Sequence, residues 1–280
     1  GTVTGMTSRI GAIISLEHEE PLEQLTSLGL SVCQLSSWSP DSWTAKTARA
    51  MRDALARSGV TATAFWGGWS GPRAWNFSEG PSTLGIVPRE YRSQRTTELK
   101  RAGEFAVELG LPAVVTHLGF LPENPGDPEF GPVVETVREI GRYLDSLGLE
   151  FWFETGQETP VAMVRVIRES GLTNLGVNLD PANLILYGKA NPVDAVGIFG
   201  RLIRNVHAKD GRYPTDPMKL GEETRVGEGL VGFPALIEAL ERAGYEGPFI
   251  IEREISGEEQ RRDIRATVGY LEEQLARGKG

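Results

Sequence analysis

The chain has 280 residues, 40% of them hydrophobic and 24% charged, enough apolar material for a sizeable core and outside the range of disordered chains. Its formal charge of −9 argues against the basic face with which nucleic-acid binders displace counterions, and no stretch approaches the roughly 18 consecutive apolar residues of a membrane-spanning helix. The lone cysteine, Cys33, cannot close an internal disulfide, and no charged segment leads into an apolar run at the N-terminus, so the expected location is the cytoplasm.

Short β-branched or aromatic runs alternate with longer helical patterns along the whole chain, the mark of βα units feeding a parallel sheet. Strands are predicted at residues 9–14, 31–35, 61–65, 113–117, 150–154, 175–179, 203–207 and 249–252. Helical patterns cover residues 41–57, 91–109, 131–147, 160–170, 233–243 and 258–276, with one helix expected after each strand. His18 is expected at the start of a first helix, solvated among its charged neighbours. Gly59, Gly110, Gly148, Gly171 and Gly244 fall just past helical runs, where a left-handed residue turns the chain toward the next strand. Eight such units over residues 1–280 predict a single α/β domain, a (β/α)₈ TIM barrel. An open doubly wound sheet is the alternative, but no glycine-rich phosphate fingerprint follows the first strand. Two long segments, 67–89 and 210–232, follow strand C-termini, where barrels build their active sites.

Four of the strands end on a residue able to ligate a metal: Glu154, Asp180, His207 and Glu252. The strands that carry them are the fifth to eighth, neighbours around one arc of a barrel, so the side chains can converge although they span about a hundred residues of sequence. Each acid alone could as well cap a helix or pair with an arginine; four at successive strand ends favour a shared site. Three carboxylates and an imidazole form a mostly hard, oxygen-rich set suited to one divalent ion, Mn²⁺ foremost, with Mg²⁺ or Co²⁺ also accommodated.

The segments Phe153-Glu154-Thr155-Gly156-Gln157-Glu158, Asn178-Leu179-Asp180-Pro181-Ala182-Asn183, Val206-His207-Ala208-Lys209-Asp210 and Gly227-Glu228-Gly229 leading to Phe233 resemble the xylose-isomerase-like superfamily of sugar phosphate isomerases and epimerases. The resemblance spans nearly the whole chain. It implies one catalytic metal held by Glu154, Asp180, His207 and Glu252. In the family's ketose 3-epimerases the two matching glutamates also serve as acid and base on opposite faces of the substrate. It further implies a homodimer. The chain departs from those epimerases at Asn183, where they carry a histidine, so a hydrogen bond to a sugar hydroxyl is open to this side chain and a proton shuttle is not.

The predicted activity is a metal-dependent isomerase or epimerase of a ketose, inosose or related keto-sugar, by α-proton abstraction and an enediolate, with Glu154 and Glu252 catalytic. The rival is a lyase or dehydratase on the same scaffold, in which a β-substituent leaves after the same abstraction. A non-catalytic sugar-binding barrel is a third class. A trinuclear-zinc abasic-site endonuclease needs many histidines and a basic face, and this acidic chain has only His18, His117 and His207. His117 is expected to reach the mouth and bind substrate or a carboxylate. Trp66, with Trp69 and Trp38, offers an apolar wall for the carbon face of a sugar, core packing being the competing account. Lys209 can neutralise an anionic substrate or a developing enediolate, and Glu158 with Gln157 can orient hydroxyls or start a helix. No arginine cluster or phosphate-gripping loop is evident, so the expected substrate is an unphosphorylated sugar.

Overall fold

Strands whose two faces are both covered should read as mostly apolar runs, and residues Leu175–Leu179 are buried throughout, Asn178 being the one polar side chain among them. In the computed structural model, which describes residues 9–17, 21–253 and 257–277, eight such strands are parallel and close into a barrel. They are β1 (Ile10–Ser15), β2 (Val32–Ser37), β3 (Thr61–Gly67), β4 (Ala113–Thr116), β5 (Glu150–Glu154), β6 (Leu175–Leu179), β7 (Ile203–Ala208) and β10 (Phe249–Ile251). Their order around the barrel is β1-β10-β7-β6-β5-β4-β3-β2. The eight predicted strands are therefore all present, two with the predicted bounds and the rest with ends shifted by no more than two residues. His18 lies outside the described residues.

Helices cover the outside, and local chemistry sets their ends. The predicted helix over residues 41–57 starts later, as α2 (Ala45–Ser58), because the Thr44 side chain accepts from Thr47 N and caps it there; Pro40–Ser42 form a separate 3₁₀ turn. Helix α4 (Arg89–Leu109) follows β3, after a four-residue α3 (Gly80–Thr83), and α5 (Phe130–Ser146) follows β4. Helix α6 (Pro160–Ser170) is capped by Thr159. The five glycines expected to end helices all have positive φ, between 65° and 84°. One departure is the stretch after β6, where two helices replace one: α7 (Pro181–Leu186) stops before Gly188 at φ 65°, and Asn191 with Pro192 restarts the chain as α8 (Pro192–Phe199). The segment after β7 forms a two-residue ribbon of β8 (Asp210–Gly211) and β9 (Glu223–Thr224) before α9 (Phe233–Arg242). A first helix, α1 (Pro21–Ser27), follows β1, and α10 (Gly257–Arg277) closes the chain. No described helix is long and apolar enough to cross a membrane. Because all eight barrel strands are parallel, their C-terminal ends share one mouth, and segments 67–89 and 210–232 both emerge there.

Candidate metal centre

At the mouth, Glu154 ends β5, Asp180 follows β6, His207 lies in β7 and Glu252 follows β10. One ligand atom from each lies within 4.8 Å of every other. Nδ1 of His207 is the hub, 3.1 Å from Glu252 Oε2, 3.3 Å from Asp180 Oδ2 and 3.7 Å from Glu154 Oε1. Its other nitrogen is occupied. The Gln34 amide donates through Nε2 to Asn178 Oδ1 at 3.0 Å, which turns its Oε1 to His207 Nε2 at 2.6 Å. Nε2 therefore carries a hydrogen, and Nδ1 can offer its lone pair to a cation. Strands β2 and β6 are not neighbours, so the Gln34 to Asn178 bond crosses the barrel interior, and Asn205 Nδ2 joins it at 2.7 Å. The centre thus stands on a floor of three fully buried amides.

Asp180 divides its oxygens. Oδ1 accepts from Asn183 N at 2.9 Å, capping α7, which leaves Oδ2 for the cluster. Thr155 Oγ1 donates to Asp180 O and accepts from Asp180 N, tying the ends of β5 and β6 together. Glu252 is followed by Arg253, which pairs with Asp263 at 2.8 Å and Glu223 at 3.0 Å and so joins this strand end to α10 and the ribbon.

Three carboxylates buried this closely repel one another, and burial alone favours their neutral forms. In Glu154 burial is outweighed by His117, His207 and Lys209, which hold its carboxyl below the usual range. In Glu252 burial prevails over Lys209 and His207, raising it. Burial would lower His207, but Glu154, Asp180 and Glu252 raise it well above the ordinary imidazole value. A cation among the four would stabilise all three carboxylates in ionised form, and the donor set fits a divalent ion of the Mg²⁺ or Mn²⁺ kind.

The other predicted residues gather here in unequal ways. Trp66 Nε1 donates to Glu154 Oε1 at 2.9 Å. His117, one residue past β4, approaches Glu154 Oε2 with Nε2 at 2.8 Å, and that carboxylate raises its affinity for a proton against the opposite pull of burial. Asn183 Nδ2 donates to the same oxygen at 3.0 Å, while its Oδ1 accepts from Lys209 Nζ at 3.0 Å. Lys209 is buried and stands 3.6 Å from Asp180 and 3.7 Å from Glu252, so it faces the cluster. Glu158 is not at the cavity wall; it is enclosed beside Gly156, and burial pushes its carboxyl up to about 8. Its neighbour Gln157 does line the cavity, with neither amide atom hydrogen-bonded.

The cavity over the centre measures about 330 Å³ and is walled on one side by Trp38, Trp66 and Trp75. Trp69 packs behind this wall, 4.9 Å from Trp38 between ring centres. A Cβ on Gly68 would come within 2.1 Å of the Trp38 ring, so only glycine lets that indole lie here. Gln34, Asn178, Asn205, Arg73 and Trp75 were not anticipated from the sequence. The three amides were open to detection as polar residues inside otherwise apolar strands; Arg73 and Trp75 sit in a segment with no periodicity.

The family model described as xylose isomerase-like TIM barrel matches residues 22–274. In structure the chain is similar to a xylose isomerase domain protein of Planctomyces limnophilus, at 30% identity and TM-score 0.89, covering 96% of this chain and 97% of that one. It is also similar to a D-tagatose 3-epimerase-like protein at 21% identity and TM-score 0.74, covering 96% and 98%. Among curated relatives, an uncharacterized protein of Methanocaldococcus jannaschii is 27% identical over 165 residues, 55% of each chain. Inosose dehydratase of Geobacillus thermodenitrificans is 24% identical over 144 residues, 46% of this chain and 48% of that one. The chain spans about half the length of the curated relatives it matches.

Proposed function

The chain belongs to the xylose isomerase-like TIM barrel family, and from that premise we propose that it is a divalent-metal-dependent isomerase or epimerase of a ketose, inosose or related keto-sugar. The observation that carries this reading is the joining of Glu154 and Glu252 in one cluster with Asp180 and His207. Manganese is the proposed ion, with magnesium or cobalt as substitutes, and the four side chains would hold it. Bound there, the ion supplies Lewis-acid polarisation of a substrate carbonyl.

The two glutamates are prepared for different work. Glu154 has Oε1 tied to Trp66 and Oε2 to His117 and Asn183, and is held ionised. Glu252 lines the cavity, its side chain is 19% exposed against 4% for Glu154, and burial raises its proton affinity. With a cation bound and both carboxylates ionised, the one with more access to the cavity is the better group to lift an α-proton. If Glu252 takes the proton on one face and Glu154 returns one on the other, a carbon is inverted; if Glu252 both takes and returns it between adjacent carbons, the sugar isomerises. Lys209, beside Asp180 and Glu252, would offset negative charge that develops on the substrate oxygens. His117, Trp66 and Asn183 orient Glu154 and present the cavity wall to the sugar, and Gln157 has a free amide for a hydroxyl. Glu158 would act on substrate only through neighbours. The same reading carries one catalytic domain over residues 1–280, a homodimer and a cytoplasmic location.

A dehydratase or lyase is the second reading, favoured by the inosose dehydratase among the relatives. The same proton is lifted, and loss of a β-substituent follows instead of reprotonation. Proton NMR of ketoses, inososes and 3-keto-glycosides in D₂O with the Mg²⁺-loaded protein separates the two. Deuterium entering the α-position with mass otherwise conserved, and lost in Glu252→Gln, is the expected result. Exchange followed by loss of water or an aglycone assigns a lyase, and silence across the panel overturns the catalytic reading.

A further inference from the structure

Among the described residues that line the cavity, Arg73 is the only arginine or lysine. It belongs to the segment between β3 and α4, and its guanidinium carbon lies 4.1 Å from the centre of the Trp38 ring. No described carboxylate or carbonyl takes a hydrogen bond from it. The other two arginines packed on this segment are committed. Arg92 donates to Ile86 O and to Glu129, and Arg95 donates to the carbonyls of Thr83, Gly85 and Pro72.

The backbone on either side of Arg73 is fixed. Pro72 O accepts from Arg95 Nη2 at 2.9 Å and Trp69 Nε1 at 3.3 Å, and Ala74 N donates to Thr83 Oγ1 at 3.0 Å. Trp38 beneath the guanidinium lies 4.9 Å from Trp66, whose Nε1 reaches Glu154. Arg73 therefore stands at the far end of an aromatic row that begins at the metal centre. A guanidinium that lies over an indole and donates to no described protein group has its N–H fork available, and that planar fork matches the two oxygens of an oxoacid better than any single hydroxyl.

We propose that Arg73 selects a substrate bearing an anionic oxoacid group, a carboxylate or a phosphate ester, at the end remote from the metal centre. The preferred substrate of this site is then an acidic keto-sugar. This inference rests on the reading of the cavity as a sugar site.

Tryptophan fluorescence tests it, because Trp38 lies beneath the guanidinium in the cavity wall and reports occupancy. The Mg²⁺-loaded protein is titrated with D-fructose, D-fructose 6-phosphate and 5-keto-D-gluconate, as wild type, Arg73→Ala and Arg73→Lys. At least one charged sugar should bind roughly 10- to 100-fold more tightly than D-fructose, the range of one charge-assisted pair. Arg73→Ala should bring that affinity down to the D-fructose level, and Arg73→Lys should retain part of it, keeping the charge without the fork. Whichever of phosphate and carboxylate gains more names the anion. Charged sugars that bind no better than D-fructose, or not at all, overturn the proposal, as does a preference that survives in Arg73→Ala with its metal still bound. The two charged sugars are also tried for deuterium exchange: an anion preference with no exchange in any sugar would leave this inference standing and remove the catalytic one, and exchange without a charge preference would do the reverse.

Discussion

His207 uses its two ring nitrogens for separate tasks, and Gln34 decides which does which. With Nε2–H held at 2.6 Å by the Gln34 carbonyl oxygen, Nδ1 faces Asp180, Glu154 and Glu252. Gln34→Leu removes that acceptor and frees the ring to change tautomer. The expected outcome is a loss of about 10- to 100-fold in metal affinity with the barrel still folded, read by calorimetric titration with Mn²⁺ beside a circular dichroism spectrum. Glu158 makes a prediction of another kind. Burial raises its folded-state value from 4.5 to about 8, so the native protein holds the proton that the unfolded chain releases. Its contribution to stability is complete below pH 4.5 and erodes as pH rises toward 8, by at most about 1.4 kcal/mol per pH unit. Glu158→Gln should track wild type in acid and exceed it at pH 8 in urea midpoint. A constant difference across that window would remove the assignment.

At the scale of elements, the segment after β7 hangs on one side chain. Asp210 accepts from Gly211 N and Val231 N through Oδ1 and from Gly227 N and Gly229 N through Oδ2, drawing residues 211–231 into a loop that sets Leu220 against the cavity. Asp210→Asn turns an amide NH₂ toward two of those donors. We expect a cost of about 2 kcal/mol or more and faster proteolysis within 211–231, with the barrel's far-ultraviolet spectrum unchanged. The strands that position the centre were legible in the sequence because a strand buried on both faces is a mostly apolar run. The ligands were legible because each is the polar residue that ends such a run. Asn178 stands out as a polar residue inside such a run, but its pairing was not legible, since its partner Gln34 lies 144 positions away and only barrel closure brings them together. The split of α7 from α8 was written in Gly188 and Pro192, but two short helices and one long one bury similar apolar faces. Arg73 carried no signal, because its place depends on the carbonyls that Arg95 gathers.

For the molecule as a whole, a cluster of three acids around one imidazole is a standing strain on the folded state that a cation relieves. Ligand linkage then ties thermal stability to metal concentration. At about 100 times the dissociation constant, stabilisation of about 2.7 kcal/mol should raise the melting temperature by roughly 5–10 °C. Titration of Mn²⁺ in a thermal-shift assay should show that rise in wild type and none in His207→Ala or Asp180→Ala, both folded; a full shift in either variant would displace the centre as drawn. The two segments over the mouth are fastened by opposite devices, an anion that collects N–H groups and, in Arg95, a cation that collects carbonyls. In both the loop contributes backbone, which every amino acid supplies. Except where a Cβ would collide, as at Gly229 against Asp210 or Gly85 against Leu118, or where a side chain itself holds the loop, as Trp69 and Thr83 do, the side chains that these loops turn to the cavity are free to be exchanged without unfastening them. Randomised libraries at Arg73, Trp75 and Leu220 should therefore yield mostly folded proteins, and selection for a new substrate would begin from a scaffold that tolerates the search.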